Sequence, residues 1–286
     1  MLFLPLFLGV LFLGYHKALA SAGLALESGA WGLGSKGGEL KLYRALGIVQ
    51  GDIVAFVGAG GKSSAILQTA QELKLADVRV LAAPTTKMLI REAERVGPVL
   101  TSEDRNELRS KAAEILAREG TAAVGSAILS KRRLGGVEAS WIPTLAPHNG
   151  VTLVEADGAR RRPLKGTASH EPLLPEGVTL VVAVGGIHVL GEQLNEELVH
   201  RPEVFAELTG IGPGHTIDSR AFALALLAGL RTTPKSTRRA ALLTAVEPGR
   251  SMSDASVVAH ELWRRGVRKV ILSSLPKEMP GRVWTL

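Results

Sequence analysis

The chain contains no cysteine among its 286 residues. Without thiols it forms no disulfide bond, no thiolate metal site, no iron–sulfur cluster and no covalent cysteine intermediate. Aromatic residues make up only 4% of the chain, and none is interleaved with the short clusters of basic residues. Because proteins bind single-stranded nucleic acids by stacking bases on aromatic rings beside cations, this composition does not favour nucleic-acid binding.

Charged residues account for 21% of the chain, whereas hydrophobic residues account for 46%. A chain of this length and composition can bury a substantial core, so we expect one large folded domain or two small ones. The formal net charge of +7 suits ligands that carry phosphate groups. We interpret the basic clusters as solvated surface rather than as a stripe that binds nucleic acid.

Residues 1–38 differ from the rest and are predicted to form an apolar extension followed by a flexible, glycine-rich join at 29–38. The apolar run at 2–13 is shorter than the roughly 20 residues that a helix needs to cross a bilayer. No lysine or arginine precedes this run, which disfavours a signal peptide. Three interpretations stay open: a membrane contact through 1–14, which we do not favour, a packed terminal helix, or translated sequence upstream of the true start.

From residue 39 onward, short apolar segments alternate with helical segments. Strands are predicted at 53–57, 79–83, 121–128, 151–155, 178–184, 240–245 and 267–273, and helices at 38–46, 65–73, 103–118, 222–230 and 254–265. Such alternation is typical of an α/β fold with a mostly parallel sheet and helices on both faces. We therefore predict one P-loop NTPase-like domain over 39–286, with ligands beyond the carboxyl ends of the strands.

The segment 58–64, Gly-Ala-Gly-Gly-Lys-Ser-Ser, lies between a predicted strand and a predicted helix, which is the context of a phosphate-binding loop. Its glycines let backbone N–H groups converge on phosphate oxygens, and the helix N-terminus adds partial positive charge. Lys62 would reach the β- and γ-phosphates of a nucleotide, and the Ser63 hydroxyl would bind Mg²⁺. The predicted binding residues of this loop are Gly58, Gly60, Gly61, Lys62, Ser63 and Ser64.

The loop departs from the common pattern, which has a glycine where this chain has Phe56. The shorter form G-x-x-G-K-S-S resembles the loops of Mur-type ligases, and a purely structural glycine turn is the alternative. A lysine followed by two hydroxyls at the helix start favours nucleotide binding. Residues 244–247 lack the asparagine and lysine of a guanine-reading motif, so the sequence does not choose between ATP and GTP.

A second group of polar residues ends the predicted strand at 151–155. Glu155 and Asp157 are two residues apart and would point to the same face of an ideal strand. One carboxylate would complete a Mg²⁺ site with Ser63 while the other orients a nucleophile, which makes Lys62, Glu155 and Asp157 the candidate catalytic residues. Glu155, Asp157 and Ser63 are the candidate metal ligands. A turn that simply begins with acidic residues is the alternative.

Cations and hydroxyls nearby are further candidates for holding anionic oxygens. Arg160, Arg162 and Lys165 follow the two carboxylates, and Thr85 and Thr86 follow the strand predicted at 79–83. Guanidinium and ammonium groups form strong hydrogen bonds to phosphate oxygens. The alternatives are a solvated loop for the basic residues and hydroxyls that satisfy the local backbone for the threonines.

Two histidine-containing segments complete the candidate set. His170 and Glu171 precede one proline, and His200 and Arg201 precede another, which predicts extended loops rather than helices at both places. His170, Glu171 and Arg201 are predicted to contact the ligand. The other histidines show no ligand-type spacing, so we expect no transition-metal site.

The motifs G-A-G-G-K-S-S, P-T-T-K-M, E-A-D-G-A-R-R-R-P-L-K, H-E-P and V-H-R-P-E occur in this order from about residue 40 onward. Together they resemble the selenium-dependent hydroxylase accessory protein family, known as YqeC, and the block at 155–172 is the most distinctive part. The resemblance implies a cytoplasmic bacterial or archaeal P-loop protein associated with the maturation of selenium-dependent molybdenum hydroxylases. Ser63, Ser64 and Pro84 stand where that family usually has threonines.

These observations predict an accessory protein that binds a Mg²⁺–nucleoside triphosphate, either ATP or GTP, and uses hydrolysis or transfer in that maturation. Its expected partners are the nucleotide and a molybdenum hydroxylase or its cofactor. Two alternatives remain. The protein could carry a phosphorylated, molybdopterin-type cofactor without turnover, or it could be a small-molecule kinase or ligase with a Mur-like phosphate loop.

Overall fold

The computed structural model describes residues 40–286. The predicted apolar extension, the glycine-rich join and the membrane contact through 1–14 all lie outside the described residues, as does the start of the helix predicted at 38–46. In the part of the chain that the structure describes, no helix has the length and apolarity needed to cross a membrane.

A nine-stranded sheet forms the centre of the fold. Its strands are, in spatial order, β14 (Val283–Thr285), β13 (Val270–Ser273), β12 (Arg238–Thr244), β10 (Leu180–Gly186), β1 (Ile53–Gly58), β8 (Gly150–Glu155), β2 (Arg79–Ala82), β5 (Thr121–Gly125) and β4 (Val99–Thr101). All neighbours are parallel except β13 and β14. The mostly parallel sheet predicted from the alternating pattern is confirmed.

Helices cover both faces of this sheet. They are α1 (Leu42–Leu46), α2 (Lys62–Lys74), α3 (Ile90–Val96), α4 (Arg105–Glu119), α5 (Ile142–Leu145), α6 (Pro202–Thr209), α7 (Ser219–Leu230) and α8 (Arg250–Arg264). Residues of α1, α2 and α3 share one hydrophobic core with one face of the sheet. Residues of α4, α7 and α8 share the other core with the opposite face.

Strand β1 shows why a sheet of this kind needs nearly continuous apolar sequence. Its side chains alternate between faces, so Val54 and Phe56 enter one core while Ala55 and Val57 enter the other. Phe56, which departs from the common phosphate-loop pattern, is fully buried in the middle of this strand. The glycine turn therefore begins only at Gly58, which explains the shorter motif.

Several predicted boundaries were wrong. The strand predicted at 121–128 ends at Gly125, and β6 (Ile128–Ser130) belongs to a separate antiparallel sheet with β7 (Arg133–Leu134) and β3 (Met88–Leu89). The strand predicted at 267–273 begins only at Val270, because the N–H of Val267 bonds to the carbonyl of Leu262 and closes the end of α8.

A helix replaces the extended loop that we predicted after His200. Arg201 adopts a left-handed φ of 57°, and α6 begins at the next residue, Pro202. Proline is tolerated in the first turn of a helix because its missing N–H has no partner there. Before this turn, β11 (Val199–His200) pairs in parallel with β9 (Leu164–Lys165), which places two predicted site segments side by side.

Candidate functional site

A cleft with a volume of about 1080 Å³ lies beyond the carboxyl ends of the central strands. Strands β1, β8 and β10 are adjacent in the sheet, so the loops that follow them meet at one edge. Most of the residues predicted from the sequence line this cleft: Gly60, Gly61, Lys62, Ser63, Ser64, Thr86, Glu155, Arg160, Arg162, Glu171 and Arg201.

The glycine turn after β1 leads directly into α2, whose first residue is Lys62. Gly60 has a φ of 74°, and its N–H donates a hydrogen bond of 3.0 Å to the carbonyl of Arg162. A Cβ at this position would collide with the backbone of Pro163 and Gly186, so only glycine allows the three loops to approach this closely. The turn presents the N-terminus of a thirteen-residue helix to the cleft.

Lys62, Ser63 and Glu155 meet at the bottom of the cleft. The Ser63 hydroxyl donates a hydrogen bond of 3.0 Å to Oε2 of Glu155. The Lys62 Nζ lies 4.0 Å from Oε1 of Glu155 and donates a bond of 2.6 Å to the carbonyl of Gly58. A helix-start hydroxyl, a lysine and a strand-end carboxylate are thereby brought within contact distance of one another.

Asp157 lies beneath the glycine turn rather than in the cleft. Its side chain is fully buried, with Oδ1 at 3.1 Å from the Lys62 Nζ. Its Oδ2 accepts hydrogen bonds from the N–H of Gly58 at 2.9 Å and from Lys165 at 3.0 Å. We had predicted Asp157 as a metal ligand and catalytic residue; in this structure its carboxylate instead faces the Lys62 and Lys165 ammonium groups and the Gly58 N–H.

Lys165 is likewise an internal ion-pair partner, and its predicted contact with anionic ligand oxygens is not supported. It is only 2% exposed, and its ammonium bridges Asp157 at 3.0 Å and Glu171 at 2.8 Å. Arg201 in turn pairs with Glu171 at 2.6 Å and lines the cleft. The result is a buried chain of alternating charges that runs from Lys62 to Arg201; we call it the ion-pair chain (Lys62, Asp157, Lys165, Glu171 and Arg201).

The pKa values of this region follow from burial and charge. Burial acts to lower the pKa of Lys62, but the carboxylates of Asp157 and Glu155 outweigh it, and the pKa is raised. Burial raises the pKa of Glu155, against the opposing charge of Lys62. Burial also acts to raise the pKa of Glu171, but hydrogen bonds from Arg201 and Lys165 bring it down to about 2. Lys62 is therefore charged and Glu171 ionised at neutral pH.

Cations outnumber anions around the cleft. Seven lysine or arginine side chains and three glutamates line it. Three consecutive residues, Arg160, Arg161 and Arg162, form a loop that we call the arginine loop. The carbonyl of Arg162 accepts a hydrogen bond from the glycine turn. Arg160 and Arg161 have φ values of 46° and 63°, in the left-handed region that non-glycine residues rarely adopt. The net positive charge suits a polyanionic ligand.

Besides Asp157 and Lys165, three other predicted residues do not line the cleft: Gly58, Thr85 and His170. Gly58 is buried in the turn and binds Asp157 through its N–H. The Thr85 hydroxyl donates to the backbone carbonyls of Leu173 and Glu155, which are 88 and 70 residues away, so it satisfies distant rather than local backbone. His170 is exposed and does not line the cleft. The predicted ligand contacts of Thr85 and His170 are thus unsupported by the geometry.

The cleft also contains residues that the sequence analysis missed. Lys87, Arg133, Arg161, His188 and Pro276 all line it. His188 follows β10 directly, so the rule that ligands bind at the carboxyl ends of strands would have found it. Arg133 comes from a basic cluster that we had assigned to solvated surface, and no local pattern marks its return to the cleft.

The residues at the bottom of the cleft fit a hard divalent cation such as Mg²⁺. The Ser63 hydroxyl and the Glu155 carboxylate offer oxygen ligands within 3.0 Å of each other. In the described part of the chain, no group of three or more histidine, cysteine, aspartate or glutamate side chains converges as a metal site. A cation at Ser63 and Glu155 would therefore complete its coordination with ligand oxygens and water, which is how proteins commonly hold Mg²⁺.

The parallel sheet and the cleft define an α/β protein with a nucleotide-binding-like architecture. The family model "YqeC protein" matches residues 54–203, and the chain belongs to the YqeC family. The resemblance seen in the motifs is thereby confirmed. The chain is 34% identical over 167 residues to the uncharacterized protein YqeC of Escherichia coli (strain K12), and this alignment covers 58% of the chain and 63% of that relative. The chain therefore matches less than two thirds of the relative's length.

Proposed function

We propose that this protein binds a Mg²⁺–nucleoside triphosphate in the cleft and hydrolyses it or transfers part of it. The observation that carries the proposal is the contact of 3.0 Å between the Ser63 hydroxyl and the Glu155 carboxylate, beside Lys62 at the first turn of α2. A phosphate-loop hydroxyl and a carboxylate from a neighbouring strand form the Mg²⁺ site of P-loop nucleotide-binding proteins. Strands β1 and β8 are such neighbours.

The phosphate chain would lie on the glycine turn. Backbone N–H groups at the start of α2 and the ammonium of Lys62 are the donors for the β- and γ-phosphate oxygens. Mg²⁺, when bound, would neutralise charge on these oxygens. Lys62 is already held against Asp157 at 3.1 Å, so its position is fixed before any ligand arrives.

In this proposal the arginine loop acts on the γ-phosphate end of the triphosphate. Arg162 is joined to the glycine turn through the Gly60 N–H, and Arg160 and Arg161 line the same cleft. Guanidinium groups stabilise the charge that develops on a transferring phosphoryl group. Glu155 would orient an attacking water or acceptor while the cations hold the phosphates.

The biological setting we propose is the one that the family resemblance implies. In it, the protein acts in the cytoplasm as an accessory factor in the maturation of selenium-dependent molybdenum hydroxylases. The nucleotide would be ATP or GTP, and the partner would be the hydroxylase or its cofactor. The positive charge of the cleft is compatible with such a phosphorylated cofactor.

Calorimetric titration of the full chain with ATP and with GTP, with and without Mg²⁺, tests the proposal. We expect binding of at least one nucleotide, strengthened by Mg²⁺, with that gain lost in Ser63→Ala and Glu155→Gln. Lys62→Ala should weaken binding by about 10²-fold, because a charged hydrogen bond contributes roughly 1.5–3 kcal/mol. Lys74→Ala, at the exposed far end of the same helix, is the matched control.

Phosphate release then separates the proposal from its alternatives. Release from the purified chain supports hydrolysis, and release only with an added acceptor supports the kinase or ligase. Nucleotide binding without turnover, together with retention of a molybdopterin-type cofactor, supports the carrier. Absence of any nucleotide binding with Mg²⁺ present would contradict the proposal.

A further inference from the structure

A second, smaller pocket of about 420 Å³ opens beside the cleft. We call it the side pocket; the members used below are Arg160, Arg162, Glu196, His200, Arg201 and Glu203. Its four basic residues also line the cleft, whereas Glu196 and Glu203 line only the side pocket. No residue of the glycine turn or of α2 lines it. The two cavities thus share these four residues, which we call the wall.

We propose that the side pocket binds the oxyanion group of a second, hydroxyl-bearing small molecule while the cleft holds the triphosphate. This inference rests on the proposed function, because it assigns the nucleotide to the cleft. The ligand class is a small phosphate or carboxylate with free hydroxyl groups, held together with the nucleotide rather than in competition with it.

The three arginines of the side pocket differ in whether they have an ion-pair partner. Arg201 is anchored by Glu171 at 2.6 Å, so one cation of the wall is fixed in place. Among residues 40–286, the guanidinium groups of Arg160 and Arg162 form no salt bridge. Two guanidinium groups beside an anchored third form a site for a single oxyanion, because each can donate two parallel hydrogen bonds.

The backbone around the side pocket has an unusual share of left-handed conformations. In the described part of the chain, five non-glycine residues have positive φ, and three of them are Arg160, Arg161 and Arg201. A side chain with a Cβ is disfavoured in this conformation, and glycine would adopt it without that cost. Residues held in such conformations cluster at ligand-binding sites. Arg201 has an ion-pair partner in Glu171, whereas Arg160 and Arg161 have none among residues 40–286, so a bound anion would account for arginine at these two positions.

The remaining residues indicate what else the ligand carries. Glu196 and Glu203 are exposed acceptors at the rim of the side pocket, and a carboxylate accepts hydrogen bonds from hydroxyl groups. Burial and the nearby charges of Arg201, Lys165 and Arg160 lower the pKa of His200 to about 4. His200 is therefore a neutral ring at pH 7 and can also accept a hydrogen bond. A cationic wall with acceptors around it fits an oxyanion that bears hydroxyl groups.

Calorimetry on the full chain, saturated with Mg²⁺ and the non-hydrolysable imido analogues of ATP or GTP, tests the inference. The analogue fills the triphosphate position, so a probe that binds the loaded protein and is weakened by a change at Arg162 lies at the shared arginines. Inorganic phosphate, glycerol 3-phosphate and glycerate distinguish a phosphate from a carboxylate ligand, and glycerol is the uncharged control. We expect an oxyanion probe to bind, with Arg162→Gln weakening it by about tenfold or more.

Two results would overturn the inference without touching the proposed function. In one, the analogue binds but no oxyanion probe binds to the loaded protein. In the other, the probe displaces the analogue, which would show that the arginines serve only the nucleotide. If neither analogue binds, the proposed function fails, and a probe that binds the nucleotide-free chain and is lost in Arg162→Gln still supports an oxyanion site at the shared arginines.

A second variant separates ligand binding from a structural role. Arg160→Gly removes the side chain but keeps the left-handed backbone, so the melting temperature should stay unchanged or rise by about 2 °C while glycerol 3-phosphate binding weakens. Asp77→Gly, at an exposed turn with a φ of 56°, is the matched control and should leave binding unchanged. A lower melting temperature with unchanged probe affinity would show that Arg160 is structural.

Discussion

The amino and carboxyl edges of the central sheet hold charged residues in two different ways. At the amino edge, Asp52 precedes β1 and accepts hydrogen bonds from the Thr179 hydroxyl at 2.7 Å and from Arg238 at 2.6 Å. Its other oxygen accepts the N–H of Val49 at 2.8 Å. At the carboxyl edge, seven cationic side chains face three glutamates around an open cleft.

This comparison distinguishes charged residues that hold the fold together from charged residues that are available to a ligand. At the amino edge the carboxylate oxygens are used by neighbouring groups, and the network joins loops that precede the strands. At the carboxyl edge the ion-pair chain and Glu155 are matched internally, whereas the arginine loop forms no salt bridge within residues 40–286. The proposed phosphate ligand would balance this surplus of positive charge.

The largest effect we expect comes from breaking the ion-pair chain at its centre. Lys165→Met would leave Asp157 and Glu171 without their shared cation, and removing one partner of a buried pair costs roughly 3–5 kcal/mol. Urea unfolding measures this loss of the free energy of unfolding. Lys111→Met, in the exposed pair with Glu107, is the control and should change it by about 0.5 kcal/mol or less. A loss in Lys165→Met no larger than that of the control would show that the chain does not support the cleft.

Acid should weaken the same network. Because the folded-state pKa of Glu171 is about 2, below the ordinary 4.5, its contribution is present above pH 4.5 and is lost as the pH falls toward 2. The contribution is on the order of 3 kcal/mol. The measurement is the difference in the free energy of unfolding between the native chain and Glu171→Gln across this window. A difference that stays constant from pH 5 to pH 2 would contradict the assignment.

Local sequence patterns predicted the part of the site that is built locally. The apolar run of β1, the glycine turn and the start of α2 are consecutive in the chain, so the sequence pattern singles out Lys62 and Ser63, which line the cleft. Glu155 was also found, because the carboxyl ends of parallel strands meet at one edge. These predictions needed only strand and helix periodicity and the usual binding edge of an α/β sheet.

What the sequence did not reveal depends on long-range contacts. Asp157 and Lys165 were predicted to face the ligand, yet they satisfy each other and Glu171 beneath the turn. Nothing in the spacing distinguishes a carboxylate that meets a metal from one that accepts a backbone N–H ninety-nine residues away. Pro276 reaches the cleft from near the end of the chain, through a loop that no local signal assigns to the site.

A variant at the amino edge tests whether the two edges of the sheet act independently. Asp52→Asn keeps the size of the side chain but removes the charge that Arg238 and Thr179 bind, and we expect a loss of about 1–2 kcal/mol in the free energy of unfolding. Nucleotide binding should be unchanged, because this edge lies opposite the cleft. Calorimetry on the variant checks this, and a tenfold change in nucleotide affinity would mean that the two edges are not independent.

The smallest effect should come from Arg161, an exposed member of the arginine loop. Arg161→Gln should weaken nucleotide binding only threefold to fivefold, since an exposed ion pair contributes about 1 kcal/mol or less. The difference from the native chain should shrink further at 0.5 M salt, where screening shortens the range of charge interactions. A difference that does not depend on salt would argue against an electrostatic role for this side chain.

The most direct test of the central claim is a crystal structure of the full chain with Mg²⁺ and a non-hydrolysable triphosphate. The account predicts the phosphate chain on the glycine turn, the Lys62 amine at the β- and γ-phosphates, and Mg²⁺ on the Ser63 hydroxyl with Glu155 in its coordination shell. A triphosphate bound elsewhere, or a metal that contacts neither Ser63 nor Glu155, would contradict it.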